Sequence, residues 1–338
     1  MRRIVIVVIV LLALAFVLFS LTELENILEV LKESNIIFLL VAVLVEMICL
    51  LNTTATFGLL YRLVGLTESG RRMFLMTTAA NFVNMVAPSG GLGGIAVFLD
   101  EARRRRLSTA RVMVVGVLYL VYEYAALFCI LTLGFIVLIR RDTLNTGELI
   151  AAGFLLMLAL AVGSMLVLGY KSSDVLGNLL AKLSRFFNRL FRPLLRRDVL
   201  IIENAYKFSH EITEGISTIR ASRRNLVLPF LFTLNNKVLL MCVLSCTFLA
   251  LNTPFSAGTI VGGFSISYLF FYASPTPSGV GFVEGILPAA LNSLRVPFTE
   301  AVLITLVFRA VTLWIPFAAG VVAFHILQTK SMSVKNSS

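Results

Sequence analysis

Six uninterrupted apolar runs, at residues 4–21, 36–58, 112–138, 149–169, 226–251 and 299–327, constrain this chain more than any other feature. A helix rises about 1.5 Å per residue, so about 20 apolar residues cross a hydrocarbon core about 30 Å thick. Each run approaches or exceeds that length, is almost free of charge and is bounded by polar or charged residues. Backbone groups in lipid must be satisfied within their own segment, and the runs therefore predict an all-α, polytopic membrane protein. Composition points the same way, with 58% hydrophobic and 14% charged residues, against roughly 45–50% and about 25% in soluble domains. An ordinary soluble enzyme, a disordered chain and a collagen-like fibre are excluded. The first run follows Met1-Arg2-Arg3, as a secretory signal would, but it is long for one and no A-x-A-type site closes it; it reads as a retained span.

Two further apolar stretches, 73–99 and 258–294, are broken near their middles by Pro and Gly. The distribution of cations says how they run. With a cytoplasmic N-terminus, segments 1–3, 59–72, 100–111, 170–225 and 328–338 hold 23 of the 29 Lys and Arg residues. The opposite face holds Lys32, Arg140, Arg141 and Arg295, and its first loop carries Glu23, Glu25, Glu29 and Glu33. This is a strong positive-inside pattern. It places both ends of 73–99 in the cytoplasm and both ends of 258–294 outside, so each broken stretch is expected to enter and return on its own side. A single kinked span would instead put the Arg-rich 100–111 segment outside.

The breaks resemble each other. One contains Asn81, Asn84, Pro88, Ser89, Gly90, Gly91, Gly93 and Gly94; the other contains Pro277, Ser278, Gly279, Gly281 and Glu284. Both hold Pro-Ser-Gly followed by a nearby Gly, and a full span begins soon after each, around Ala110 and Ala301. A repeat entering from opposite faces is a pattern of inverted-topology transporters. Pro removes a donor and Gly opens conformations closed to other residues, so the helices must stop at these points. Irregular backbone at that depth survives only when buried in protein or lining a wet cavity. The N–H groups left at half-helix ends suit an anionic ligand such as a phosphate, although tight packing corners would need the same residues. Gly91-x-Gly93-x-x-Ala96 fits a relaxed dinucleotide fingerprint, but it lacks a βαβ context and is accidental.

Five ionisable residues fall inside apolar segments: Glu46, Glu123, Lys237, Glu284 and Arg309. Each costs at least about 2–3 kcal/mol at the bilayer centre, so each is expected to face the protein interior with a partner. Lys237 and Arg309 are candidate counter-charges for a lipid phosphate, with the three Glu residues orienting them or exchanging protons. The alternative is a set of internal salt bridges that hold helices in register. His210 and His325 have no metal-ligand spacing around them, and Cys49, Cys129, Cys242 and Cys246 read as small buried hydrophobes. No catalytic constellation, metal site or cofactor site stands out.

Residues 175–197 read as an amphipathic helix, with Lys182, Arg185, Arg189, Arg192 and Arg196 recurring at steps of three and four opposite a Leu/Phe face. Such a helix suits the interface of an anionic leaflet, or a packed linker with a solvated basic face. Nucleic-acid binding is not expected, because these cations sit beside spans.

The Asn-to-Gly-Gly segment at 81–94, the Pro-Ser-Gly-Val-Gly-x-x-Glu segment at 277–284 and the later span with Arg309 and Pro316-x-x-x-Gly320 resemble the lysylphosphatidylglycerol synthase transmembrane (flippase-like) family. The resemblance runs through nearly the whole chain. It implies a lipid flippase-like transporter, and, as the chain stops at Ser338, one without a synthase domain. The family often carries an Arg followed by an acid in the span after the first motif. Leu118, Tyr119 and Glu123 stand there in this chain, a departure from a symmetric two-cation site.

The expectation is therefore a single membrane domain over 1–338, with six full spans and two re-entrant hairpins in an inverted repeat. Residues 1–170 form a first half, 171–225 a basic cytoplasmic linker and 226–330 a second half, with both termini cytoplasmic. The expected substrate is a phospholipid or a polyprenyl-linked lipid moved between leaflets. A non-transporting partner of a lipid- or glycan-modifying enzyme is the alternative, and a homo-oligomer or such an enzyme remains open as protein partner.

Overall fold

The computed structural model describes residues 34–86, 92–144, 146–171, 226–274 and 276–335, with scattered positions between 174 and 213. The expected first span at 4–21, the tip residues Pro88, Ser89, Gly90 and Gly91, and Arg189, Arg192 and Arg196 lie outside the described residues. The longer helices are α1 (Ile36–Leu63), α2 (Gly70–Val86), α3 (Leu92–Arg104), α4 (Thr109–Arg140) and α5 (Thr146–Lys171). They continue as α6 (Val227–Ala250), α7 (Ala257–Ala273), α8 (Phe282–Ser293), α9 (Phe298–Arg309) and α10 (Ile315–Lys335). Helix starts follow local chemistry. Asn35 Oδ1 accepts from Ile37 N at 3.0 Å ahead of α1, Ser108 Oγ from Arg111 N at 3.3 Å ahead of α4, and Ser256 Oγ from Thr259 N at 3.1 Å ahead of α7. Each side chain satisfies an N–H that the first turn leaves open.

Among the described residues, five helices are long and apolar enough to cross a membrane: Ile36–Leu63, Thr109–Arg140, Thr146–Ser164, Val227–Ala250 and Phe298–Thr329. They correspond to the last five apolar runs. The final one departs from a simple span, because α9 ends at Arg309 and a π-helical turn over Ala310–Trp314 precedes α10. Pro316 supplies the reason: its ring cannot sit against the carbonyl four residues back, at Thr312, and the wider turn relieves that clash.

The two broken stretches form antiparallel helix pairs. In the first, Arg72 Nε meets Glu101 Oε1 at 3.0 Å near the base, Arg105 pairs with Glu68, and Gly94 N–H donates to Asn84 Oδ1 at 2.6 Å near the tip. Both ends of this hairpin therefore lie together, beside the start of α4. The second hairpin, α7 with α8, has its base at the other end of α4. There Arg141 donates to Leu294 O at 3.2 Å and to Ser256 Oγ at 2.9 Å. The 32 residues of α4 span about 48 Å, so the hairpins enter the bundle from opposite ends. The 17 residues of α2 and of α7 reach only about 25 Å, too short to cross.

Each hairpin has its own core. Tyr61, Met76, Phe98 and Val115 pack where α1, α2, α3 and α4 meet, and Leu244, Phe264, Leu287 and Ile304 where α6, α7, α8 and α9 meet. α1 contributes to both cores and makes its most extensive contact with α6. The outer faces are apolar: Ile36, Leu40, Leu44, Ile150, Met157, Leu160 and Val227 are all exposed. Cys49 and Cys246 are buried, but Cys129 and Cys242 are exposed, which corrects the expectation of four buried cysteines. Lipid is as apolar as a protein core, so an apolar run alone does not separate inward from outward positions.

Candidate functional site

The described end of α2 meets the turn of the second hairpin inside the bundle, where Ser278 Oγ lies 3.4 Å from Met85 O. After α7 the chain turns through Ser278 (φ 51°) and Gly279 (φ 67°), and α8 then opens on Gly281 (φ 83°). A non-glycine residue at positive φ is uncommon, and Ser278 is held in place from several sides. Thr276 Oγ1 donates to Val280 O at 2.8 Å, Ser278 Oγ reaches Met85 O of the first hairpin at 3.4 Å, and Arg309 Nη2 donates to Ser278 O at 3.0 Å. A Cβ on Gly279 would stand 2.9 Å from Val283 Cγ2.

Glu284 fastens this tip to α9. One carboxylate oxygen accepts the Gly281 N–H at 2.7 Å, and the other accepts from Arg309 Nε at 2.5 Å. Arg309 is 5% exposed and sits at the last α-helical position before the π turn. Its guanidinium thus joins a carboxylate and a carbonyl of the same tip. In the first hairpin Gly94 is the close-approach residue: a Cβ there would lie 2.6 Å from Asn84 Nδ2 and 3.0 Å from Ala80 O.

A second buried ion pair lies beside the tips. Lys237 Nζ on α6 meets Glu123 Oε2 on α4 at 2.5 Å, and Tyr272 OH on α7 donates to the same oxygen at 2.5 Å. Lys237 and Glu123 are 3% and 6% exposed. The ammonium also faces the rings of Tyr268 and Tyr272, 5.2 Å and 5.8 Å from their centroids, a favourable cation–π arrangement. Nearby, Asn52 Oδ1 accepts from Asn235 Nδ2 at 3.1 Å and Asn52 Nδ2 donates to Phe232 O at 2.7 Å, which locks α1 to α6.

Both cations, Glu123, the two tyrosines and the Ser278 turn border a cavity of about 380 Å³, within the range of small-ligand sites. Of the residues proposed from sequence, Asn84, Gly94, Pro277, Ser278, Gly279, Lys237, Arg309, Glu46 and Glu123 line it. Glu284 stands behind Arg309, while Gly93 and Gly281 do not line the cavity. Glu46 departs from expectation. It is 4% exposed, and its Oε2 is buried with no hydrogen-bond partner among the described residues. Lys182 and Arg185 are exposed and belong to a different part of the chain; Arg185 Nε donates to Ala181 O at 3.2 Å.

Sequence reasoning missed Tyr268 and Tyr272. Their signal was an i, i+4 tyrosine pair in the middle of an apolar segment, where membrane-interface aromatics are not expected. Asn81 of the first break and Asn236, which precedes Lys237 on α6, also line the cavity. Among the described residues no group of three or more His, Cys, Asp and Glu could hold a metal ion.

The sequence model of the lysylphosphatidylglycerol synthase TM region matches residues 3–320 of the chain. No curated protein and no solved structure matches it.

Proposed function

Since the chain belongs to the family of the lysylphosphatidylglycerol synthase TM region, membrane proteins linked to lipids, we propose that it moves a phospholipid or a lipid-linked head group between leaflets. The observation that carries this reading is the cavity itself, a largely apolar chamber between two half-length hairpins into which Lys237, Arg309, Glu123, Glu46, Asn81, Asn84 and Asn236 converge. Discontinuous helices that meet at mid-depth are how inverted-repeat transporters build a binding site. At about 380 Å³ the chamber suits a head group, with the acyl chains left against the apolar faces. Arg309 and Lys237 supply cationic surface for a phosphate, and Glu284 and Glu123 hold each cation in place. Rocking of one hairpin against the other would expose the chamber to each side in turn.

The chain works as a transporter and not as an enzyme, both termini lie in the cytoplasm, and the basic 175–197 segment rests on the anionic inner leaflet.

The test is reconstitution of the full chain into liposomes with labelled lipids of several head-group classes. Transport of at least one class above the rate of empty vesicles is expected. Arg309→Ala and Glu284→Ala, in protein shown to be folded, should reduce that rate at least about tenfold, since each removes a link between tip and α9. Rates equal to empty vesicles for every class would overturn the proposal.

A further inference from the structure

The charges around the cavity do not balance. Lys237 is matched by Glu123 at 2.5 Å and Arg309 by Glu284 at 2.5 Å. Glu46 is a third carboxylate, 4% exposed, and among the described residues it forms no ion pair and no hydrogen bond. The ionisable groups that share its cavity are Cys49 on its own helix, Tyr119, Glu123 and Tyr124 on α4, Lys237 on α6, Tyr268 and Tyr272 on α7, and Arg309 on α9. Both cations in that set are already engaged by other carboxylates. α2 contributes the uncharged Asn81 and Asn84, the π turn Thr312 and Leu313, and α10 Pro316. A second acceptor in the cavity, Asn236 Oδ1, is also buried without a donor among the described residues. A lone carboxylate in such a place is costly as an anion, and protonation removes the charge.

Resting on the lipid-translocation reading, we infer that Glu46 is a proton-binding site and that the cavity takes up a proton together with a lipid phosphate. With Glu46 ionised, the five charged groups sum to one negative charge, which opposes entry of a phosphodiester anion. With Glu46 protonated they sum to zero, and both cations can turn part of their field toward the phosphate. On loading, an O–H bond forms at the Glu46 carboxylate with a proton taken from water on the entry side. On release that bond breaks and the proton leaves with the lipid. One negative phosphate and one positive proton cross together, so the loaded state is electroneutral relative to the empty one. Binding is reciprocal: the lipid favours protonation of Glu46 as much as the proton favours the lipid.

The test uses the purified full chain and a short-chain fluorescent phosphatidylglycerol, a phosphodiester monoanion across the range, titrated from pH 5.5 to 8.5 at fixed sodium and then against sodium at fixed pH. Above the titration point of Glu46, wild-type affinity should fall by up to about tenfold per pH unit. Calorimetry in two buffers of different ionisation heat should show proton uptake approaching one per lipid bound on the alkaline side. Glu46→Gln, which is neutral at every pH, should bind with the acid-limit affinity throughout and take up no proton. Should that variant fail to fold, the wild-type proton count decides alone. Flat wild-type binding without proton uptake, an unchanged slope in Glu46→Gln, or a sodium dependence in place of the pH dependence would each overturn the inference while leaving the head-group site standing. Folded protein that binds no lipid class at any pH would remove the head-group reading, and this inference with it.

Discussion

Glu123 accepts from the Lys237 ammonium and from the Tyr272 hydroxyl through one oxygen, both at 2.5 Å. In a bilayer neither charge is tolerable alone, because water cannot replace the missing partner. Lys237→Met should therefore cost about 3–5 kcal/mol, most of it the penalty of a stranded Glu123. In the double variant Lys237→Met/Glu123→Gln no charge is stranded, and much of that loss should return. Thermal or denaturant unfolding in detergent, read as a double-mutant cycle, checks this; a double variant as unstable as the sum of the two singles would mean that the pair is not coupled. Arg309 plays a different part, since its two donors go to Glu284 and to the Ser278 carbonyl and so hold a backbone turn. The five intramembrane charges were visible in the sequence, as polar letters in apolar runs. Which carboxylate belonged to which cation was not, because Glu123 and Lys237 are 114 positions apart.

At the scale of elements, hairpin closure depends on backbone approach. At Gly94 a methyl group would stand 2.6 Å from the Asn84 amide nitrogen and 3.0 Å from the Ala80 carbonyl, and a helix backbone cannot easily withdraw. Gly94→Ala is expected to destabilise by about 1–3 kcal/mol through overpacking. Gly153→Ala on α5, where nothing lies within 4 Å, should be neutral or stabilising by up to about 1 kcal/mol from helix propensity. Unfolding midpoints of the two variants should move apart; equal shifts would mean the α2–α3 approach is not tight. The breaks themselves were legible, because Pro and Gly interrupt a helix wherever it runs. The π turn after Arg309 was less so. It depends on how far the helix can widen to accommodate Pro316 while Arg309 stays on the tip.

For the whole molecule, the arrangement of ends is the testable quantity. Arg72–Glu101 and Arg105–Glu68 bring both ends of the first hairpin to one end of α4, whereas Arg141 gathers both ends of the second at the other. Single cysteines at Ser69 and Arg103, both exposed, should react with an impermeant maleimide from the same side of sealed vesicles. A cysteine at Ser293, exposed at the base of the second hairpin, should react only from the opposite side. Labelling of Ser69 and Arg103 positions from different sides would replace the hairpin with a crossing helix.

Hydrophobic length and the placement of Lys and Arg are local properties of the chain, and they were enough to specify an all-α membrane protein, the sites of five described spans and the two interruptions. Lipid contributes to that legibility, since a solvent without hydrogen bonds leaves the backbone few alternatives. Pairing across helices is a different kind of information. The cavity between the two hairpins, the tyrosines around Lys237 and a Glu46 without a partner among the described residues arise from residues far apart in the chain. Only packing in three dimensions decides which buried charge is neutralised by a neighbour and which is left without a partner among the described residues.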